Sequence, residues 1–356
     1  MFTLINNKGL VVVDYLNIMK LSKNRIIIFA LIIPLIIIFI YFVTLGLPID
    51  KFNIHQLIGR YKHQQCVQRI VHSKYSARGR KSKISIIKHG RIGNNLFQYA
   101  AMKGLSSLTG RQPVLPLSFI NLKETFRLNV TFYTEMDFNR TVWRSYDEAL
   151  NRFDIKYTIQ SILNINGSKN IVLDGYFHSY LYFENIKESL RKELTFNKDI
   201  ITSARHFLEQ IILKPNAITV AIHLRLKDKI YWQQAGLIFP PPGYFRKAME
   251  YFLSRDDHVY FVVSSDGTNT ESRNRLPSGF DYVFVHDKTP YMDLAILASC
   301  DHIIISRGTF SWWAGWLNRG ITIYYKYNHL NYNESSSVLD SYMPKDKYNH
   351  WIPMRH

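Results

Sequence analysis

ITVAIHLRLKD, residues 218–228, runs five apolar and mostly β-branched positions into His223, Arg225 and a closing Lys227-Asp228. An apolar run that does not alternate fits a strand covered on both faces, as in parallel sheets. Comparable runs follow at residues 259–263 (VYFVV), 282–285 (YVFV), 302–305 (HIII) and 321–325 (ITIYY). Helical patterns fall between them at 242–254, with Pro242 at the start, and at 291–298 and 309–317. Strands alternating with helices argue for βαβ units on a parallel sheet. Upstream, residues 84–88 (ISIIK), a Gly-rich turn and a helical 94–108 open an earlier block in the same way. Residues 111–165 resist assignment. The expected architecture is α/β, two Rossmann-like halves over residues 84–215 and 216–356 facing a cleft, with ligands at the strand C-termini.

The remainder of the chain is organised differently. Residues 26–47 (IIIFALIIPLIIIFIYFVTLGL) contain no ionisable side chain. At 1.5 Å per residue they span about 33 Å, enough to cross a bilayer, and Pro34 is tolerable there. A single transmembrane anchor is expected, with residues 1–25 as a cytoplasmic tail and the polar, basic residues 48–83 as a stem. Sequons at Asn129, Asn139, Asn166 and Asn333 all lie beyond the anchor, where glycosylation requires a lumenal body.

Composition sets further bounds. With 356 residues and 47% hydrophobic content the chain can bury a core, so wholesale disorder is excluded. Two cysteines, Cys66 and Cys300, are too few for a disulfide scaffold or a Cys-based metal site. A formal charge of +18 attracts phosphate-bearing ligands or anionic surfaces. Nucleic acid is not expected, because the basic residues are spread along the chain and no finger, basic helix or RNA-binding motif occurs.

Four motifs could carry chemistry. His89 to Ala100 (HGRIGNNLFQYA) places Gly90, Arg91 and Gly93 between a strand and a helix, with Asn94, Asn95 and Gln98 at the helix start. His223 and Arg225 share one side of a strand end, where a guanidinium fork suits phosphate and Asp228 could orient it or accept a proton. Asp266 closes the 259–263 strand and could accept hydrogen bonds from a nucleoside, or merely form an Asp–Gly turn. Ser306 to Trp313 (SRGTFSWW) forms a strand–Gly–helix N-terminus suited to phosphate, with Thr309, Phe310 and Ser311 at its start. Trp312 and Trp313 are assigned to the core. No Asp-x-Asp pair, Walker loop, His-Glu-x-x-His or Gly-x-Ser-x-Gly occurs, so no metal site is expected.

In this order behind one apolar segment, these motifs resemble the α-1,2-fucosyltransferases of glycosyltransferase family 11. Gly90 to Ala100 is similar to the family's Gly-Arg-x-Gly-Asn-x-x-Phe-Gln-Tyr-Ala, and Gly175 to Phe183 to its Gly-Tyr-Phe-Gln-Ser segment. His223 to Asp228 resembles its His-x-Arg-Arg-x-Asp box, and Asp293 to Leu317 its stretch ending Phe-Ser-Trp-Trp-x-x-Trp-Leu. The resemblance implies a GT-B fold, inverting transfer from GDP-β-L-fucose to a galactose-terminated glycan, no metal cofactor, and a Golgi type II topology. Homodimerisation is left open. It further implies that Arg225 contacts the donor pyrophosphate, that His223 and Asp266 lie near the guanosine, and that Thr309, Phe310 and Ser311 cradle phosphate. His223, Arg225 and Asp228 are the expected catalytic residues. The box departs from the family at Leu226 and Lys227, and Gly267 and Arg307-Gly308 depart likewise. A fucosyltransferase of another linkage, or a nucleotide-sugar-binding homologue without turnover, are the alternatives.

Overall fold

A computed structural model of the chain describes residues 3–6, 9–12, 82–134, 143–148, 154–212, 217–227, 239–256, 258–286, 288–326 and 348–355. The chain divides into two units, Met1–Ile70 and Val71–His356. In the first, β1 (Thr3–Asn6) and β2 (Gly9–Val12) pair antiparallel with Thr3 opposite Val12. Among the described residues no helix is long and apolar enough to cross a membrane. The expected anchor at 26–47, the stem up to residue 81, Cys66, Asp228, Asn139 and Asn333 lie outside the described residues.

The second unit holds two parallel sheets. The earlier sheet comprises β3 (Lys83–Ile86), β4 (Gln112–Pro116), β5 (Thr131–Tyr133), β6 (Trp143–Asp147) and β7 (Asn170–Asp174), in the spatial order β5-β4-β3-β7-β6. Helices α1 (Ile92–Thr109), α2 (Ile120–Thr125) and α3 (Ile155–Leu163) lie between its strands in sequence. Two further helices, α4 (Lys187–Glu193) and α5 (Lys198–Ile211), lead to the later sheet.

That sheet comprises β8 (Ile218–Leu224), β9 (Val259–Ser265), β10 (Tyr282–Phe284), β11 (His302–Ile305), β12 (Thr322–Tyr325) and β13 (Trp351–Met354). Its intervening helices are α6 (Pro242–Leu253), α7 (Asn269–Arg273), α8 (Pro290–Ser299) and α9 (Gly308–Leu317). The strand order is β10-β9-β8-β11-β12-β13, every neighbouring pair parallel. Counted within this half, that is 3-2-1-4-5-6, the doubly wound dinucleotide-binding order. Val220, Ala221 and Ile222 are fully buried, as a strand covered on both faces requires.

The two halves share a core. One apolar cluster joins Ile84, Leu96, Phe97 and Leu173 of the earlier half to Leu294, Ile303, Trp312, Trp313 and Trp316 of the later one. Trp312, Trp313 and Trp316 are fully buried, with the Phe97 ring against the first two at 4.8 and 5.2 Å. The motif tryptophans are therefore packing residues. A second cluster, including Ile222, Tyr244, Phe245 and Val263, fills the far face of the later sheet.

Candidate active site

In a doubly wound sheet the ligand crevice lies at the C-terminal ends of the two strands where the order reverses. In the later half those strands are β8 and β11. His223 sits near the end of β8 and Arg225 just beyond it, while Ser306, Arg307 and Gly308 follow β11. Ser306 stitches the two strand ends together. Its N–H donates to the His223 carbonyl at 3.2 Å, and its Oγ accepts the Arg225 N–H at 3.0 Å.

His223 is 4% exposed, and its Nδ1 lies 2.5 Å from Ser311 Oγ. Ser311 also donates to the Arg307 carbonyl at 2.7 Å, and one hydroxyl proton cannot serve both contacts. Nδ1–H of His223 therefore donates to Ser311, leaving Nε2 with the lone pair. Burial pushes His223 down to about 4, with Asp266 opposing and Arg225 reinforcing the shift, so the ring is neutral at pH 7. The Phe310 ring stands 4.7 Å away.

Arg225 Nε meets Asp266 Oδ2 at 3.2 Å, with the side chains 19% and 21% exposed. The other carboxylate oxygen of Asp266 accepts the N–H groups of Leu226 at 2.5 Å and Lys227 at 3.0 Å. Asp266 thus holds the turn after β8 and aims Arg225, whose stem passes 3.8 Å from where a Cβ on Gly308 would stand. Ser311 is likewise spent inside the fold, fully buried between His223 and Arg307. Of the helix-start trio, Thr309 and Phe310 remain partly exposed.

The earlier half brings a second helix to this place. Thr309 Oγ1 at the start of α9 donates to Asn94 Oδ1 at 2.8 Å, near the start of α1. Gly93 is what permits the approach: a Cβ there would lie 2.5 Å from the Phe310 backbone nitrogen. The N-cap residues Arg91 and Arg307 make no side-chain cap, and neither first turn carries an acidic residue. Two helix N-termini of like polarity therefore meet, an arrangement that favours an anion.

Beside them the loop after β3 meets the loop after β7. Gln98, fully buried, donates to the carbonyls of Ile87 (3.1 Å) and Gly175 (2.8 Å) and accepts from the His89 N–H at 3.2 Å. Asn95 donates to the His89 carbonyl at 2.9 Å and to Gln98 at 3.2 Å. Both amides are internal braces. His178 Nε2 reaches Asn94 Oδ1 at 3.2 Å, and burial pushes this ring down to about 4.

Two residues escaped the sequence reading, Asp174 and Glu148. Asp174 Oδ1 lies 2.6 Å from His89 Nε2, between the C-terminal edges of β7 and β3. Glu148 accepts the Phe177 N–H at 2.5 Å, and its carboxyl is raised by burial, opposed by the N–H groups of Phe177 and Tyr176. Phe177, with φ of +52°, is the one described non-Gly residue in the left-handed region, and it is held there by that carboxylate. The signal for Asp174 was its place at the end of the apolar run NIVLD; Glu148 had none.

A sequence model described as Glycosyl transferase family 11 matches residues 53–352, and the chain belongs to that family. It is 30% identical over 251 residues to galactoside alpha-(1,2)-fucosyltransferase 1 of Gorilla gorilla gorilla, covering 67% of this chain and 66% of that protein. It is 29% identical over 251 residues to the Homo sapiens protein of the same name, covering 67% of each. The match thus spans just under two thirds of the gorilla relative. Among solved structures, POFUT1 in complex with GDP-fucose gives a TM-score of 0.46 at 15% identity, over 68% of this chain and 95% of that one. NodZ alpha-1,6-fucosyltransferase soaked with GDP-fucose gives 0.44 at 16% identity, over 67% and 93%.

Proposed function

We propose that this chain transfers L-fucose from GDP-β-L-fucose to a galactoside hydroxyl, forming an α-1,2 linkage with inversion. Membership of family 11 and the names of its curated relatives support fucosyl transfer. The observation that carries the reading is the convergence of Arg225 with the N-termini of α1 and α9 at the β8–β11 reversal. A diphosphate leaving group needs fixed positive charge and N–H donors, and that is what these elements supply.

In this mechanism the two sheets form the halves of a GT-B arrangement. Arg225, held by Asp266, binds the diphosphate and neutralises charge developing on the β-phosphate as the anomeric C–O bond breaks. Thr309 and the backbone of α9 hold phosphate oxygens, and neutral His223 offers Nε2 as an acceptor toward the nucleoside. Asp228, the one carboxylate of this box, lies outside the described residues. Lys227 adds charge beside Leu226. No metal is invoked: the sequence has no Asp-x-Asp pair, and Arg225 with the helix N-termini supplies the positive charge. The body is lumenal, behind a Golgi type II anchor at residues 26–47, with the sequons glycosylated.

The test is purified full-length chain in detergent with GDP-fucose and a panel of galactosides, the linkage read by NMR. An α-1,2-fucosyl product is expected. Tight GDP binding without product over long incubation would favour a binding protein instead, and another linkage would correct the acceptor.

A further inference from the structure

The earlier sheet has its own reversal point, and it carries a side-chain pair outside the donor site. In the order β5-β4-β3-β7-β6 the switch falls between β3 and β7. His89 follows β3, Asp174 ends β7, and they meet there at 2.6 Å. Their side chains are 37% and 38% exposed, so a ligand can reach them. The half-exposed Tyr176 ring stands 5.7 Å from the His89 ring. Contacts run without a break from this pair to the donor site. Tyr176 packs on His178 at 5.0 Å, His178 bonds Asn94, and Asn94 takes the Thr309 hydroxyl at the start of α9.

Resting on the fucosyl-transfer reading above, we propose that His89 is the general base for the acceptor hydroxyl, oriented by Asp174, with Tyr176 as the stacking face for the acceptor hexose. The orientation follows from the contact. Nε2–H is committed to Asp174 Oδ1, which fixes the tautomer and leaves the lone pair on Nδ1. In the transfer step the acceptor oxygen forms a bond to the anomeric carbon of fucose, and the bond from that carbon to the diphosphate oxygen breaks, its electron pair leaving with GDP. The acceptor proton passes to His89 Nδ1. Asp174 stabilises the resulting imidazolium, which returns its proton to solvent. Arg91 on the same loop and Lys88, whose Nζ is bound to the Ser118 carbonyl, are the neighbouring cations. Asp174 is the carboxylate in contact with the ring.

A surface His–Asp pair with no ligand is the competing account, and kinetics separate the two. His89→Ala and Asp174→Asn are assayed as full-length chains beside the wild type, with GDP affinity and thermal unfolding measured on each. His89→Ala is expected to lower kcat by about 10²–10⁴-fold, with GDP affinity within a few-fold of wild type. Added imidazole should restore part of its turnover, and Asp174→Asn should fall in the same direction while keeping its melting temperature. Folded His89→Ala with near-wild-type kcat, or a kcat loss matched by an equal loss of GDP affinity, would overturn the base assignment and leave fucosyl transfer standing. A wild-type chain that binds GDP yet transfers no fucose would overturn both readings.

Discussion

Arg225 combines two properties seldom found together at a surface turn: little exposure and a partner carboxylate anchored by its other oxygen to two backbone N–H groups. Asp266 cannot swing away without breaking the backbone bonds to Leu226 and Lys227. The guanidinium is thereby aimed in advance, so in the transfer proposed above no reorganisation is needed as charge develops on the phosphate. Arg225→Ala is expected to cut turnover about 10²–10³-fold, or roughly 2.7–4 kcal/mol of transition-state stabilisation. Arg225→Lys should recover little, since a point charge cannot form the fork. Steady-state kinetics with GDP affinity on folded variants decide it; unchanged values would reduce the pair to a surface contact worth about 0–1 kcal/mol. His223 and Arg225 were legible because they terminate an unmistakable strand. The inward commitments of Asp266, Ser311, Asn95 and Gln98 were not, because each depends on a backbone or side-chain partner supplied by folding.

At the level of elements, the junction of α1 with α9 and the packing of α8 on the later sheet make separate demands. Gly93→Ala would drive a methyl against the backbone of α9, an overpacking that costs about 1–3 kcal/mol. Denaturant unfolding should show that loss, and GDP affinity should weaken with it because the two N-termini are pushed apart. In α8, Asp293 accepts from Ser264 Oγ at 3.1 Å through one oxygen while the other is buried without a hydrogen-bond partner. Burial pushes this carboxyl up to about 6, against the Ser264 bond and Lys288. The unfolded chain releases the proton near pH 3.8 and the folded chain only near 6, so stability falls as pH rises through that window and stays reduced above it. Asp293→Asn should therefore raise the melting temperature at pH 7.5 and have little effect at pH 3.5. The later half was readable because its strands are uniformly apolar and buried. Residues 111–165 were not, for reasons visible in β5 and β6: one has three residues, and the other, at a sheet edge, is largely exposed. β13 was hidden in the same way, since Pro353 interrupts an edge strand.

For the molecule as a whole, charge and topology set the expectations. A basic chain whose candidate diphosphate site is built from Arg225 and helix N-termini should keep its activity in EDTA. Abolition by chelation with rescue by Mn²⁺ would refute that site. Asn129 and Asn166 are exposed, and Asn166 Oδ1 already accepts from the Ser168 N–H and hydroxyl, both at 3.0 Å. A lumenal body predicts that N-glycosidase treatment increases the gel mobility of the full-length protein expressed in a secretory host; an unshifted band would count against the topology.

The shared aromatic core has a practical consequence for anyone hoping to recombine such enzymes. Phe97 packed against both Trp312 and Trp313 means that the later half presents indole surface wherever its partner is cut away. Neither half is a portable cassette. A chimera that grafts the later half onto a foreign partner must carry α1 with it, or accept an insoluble product.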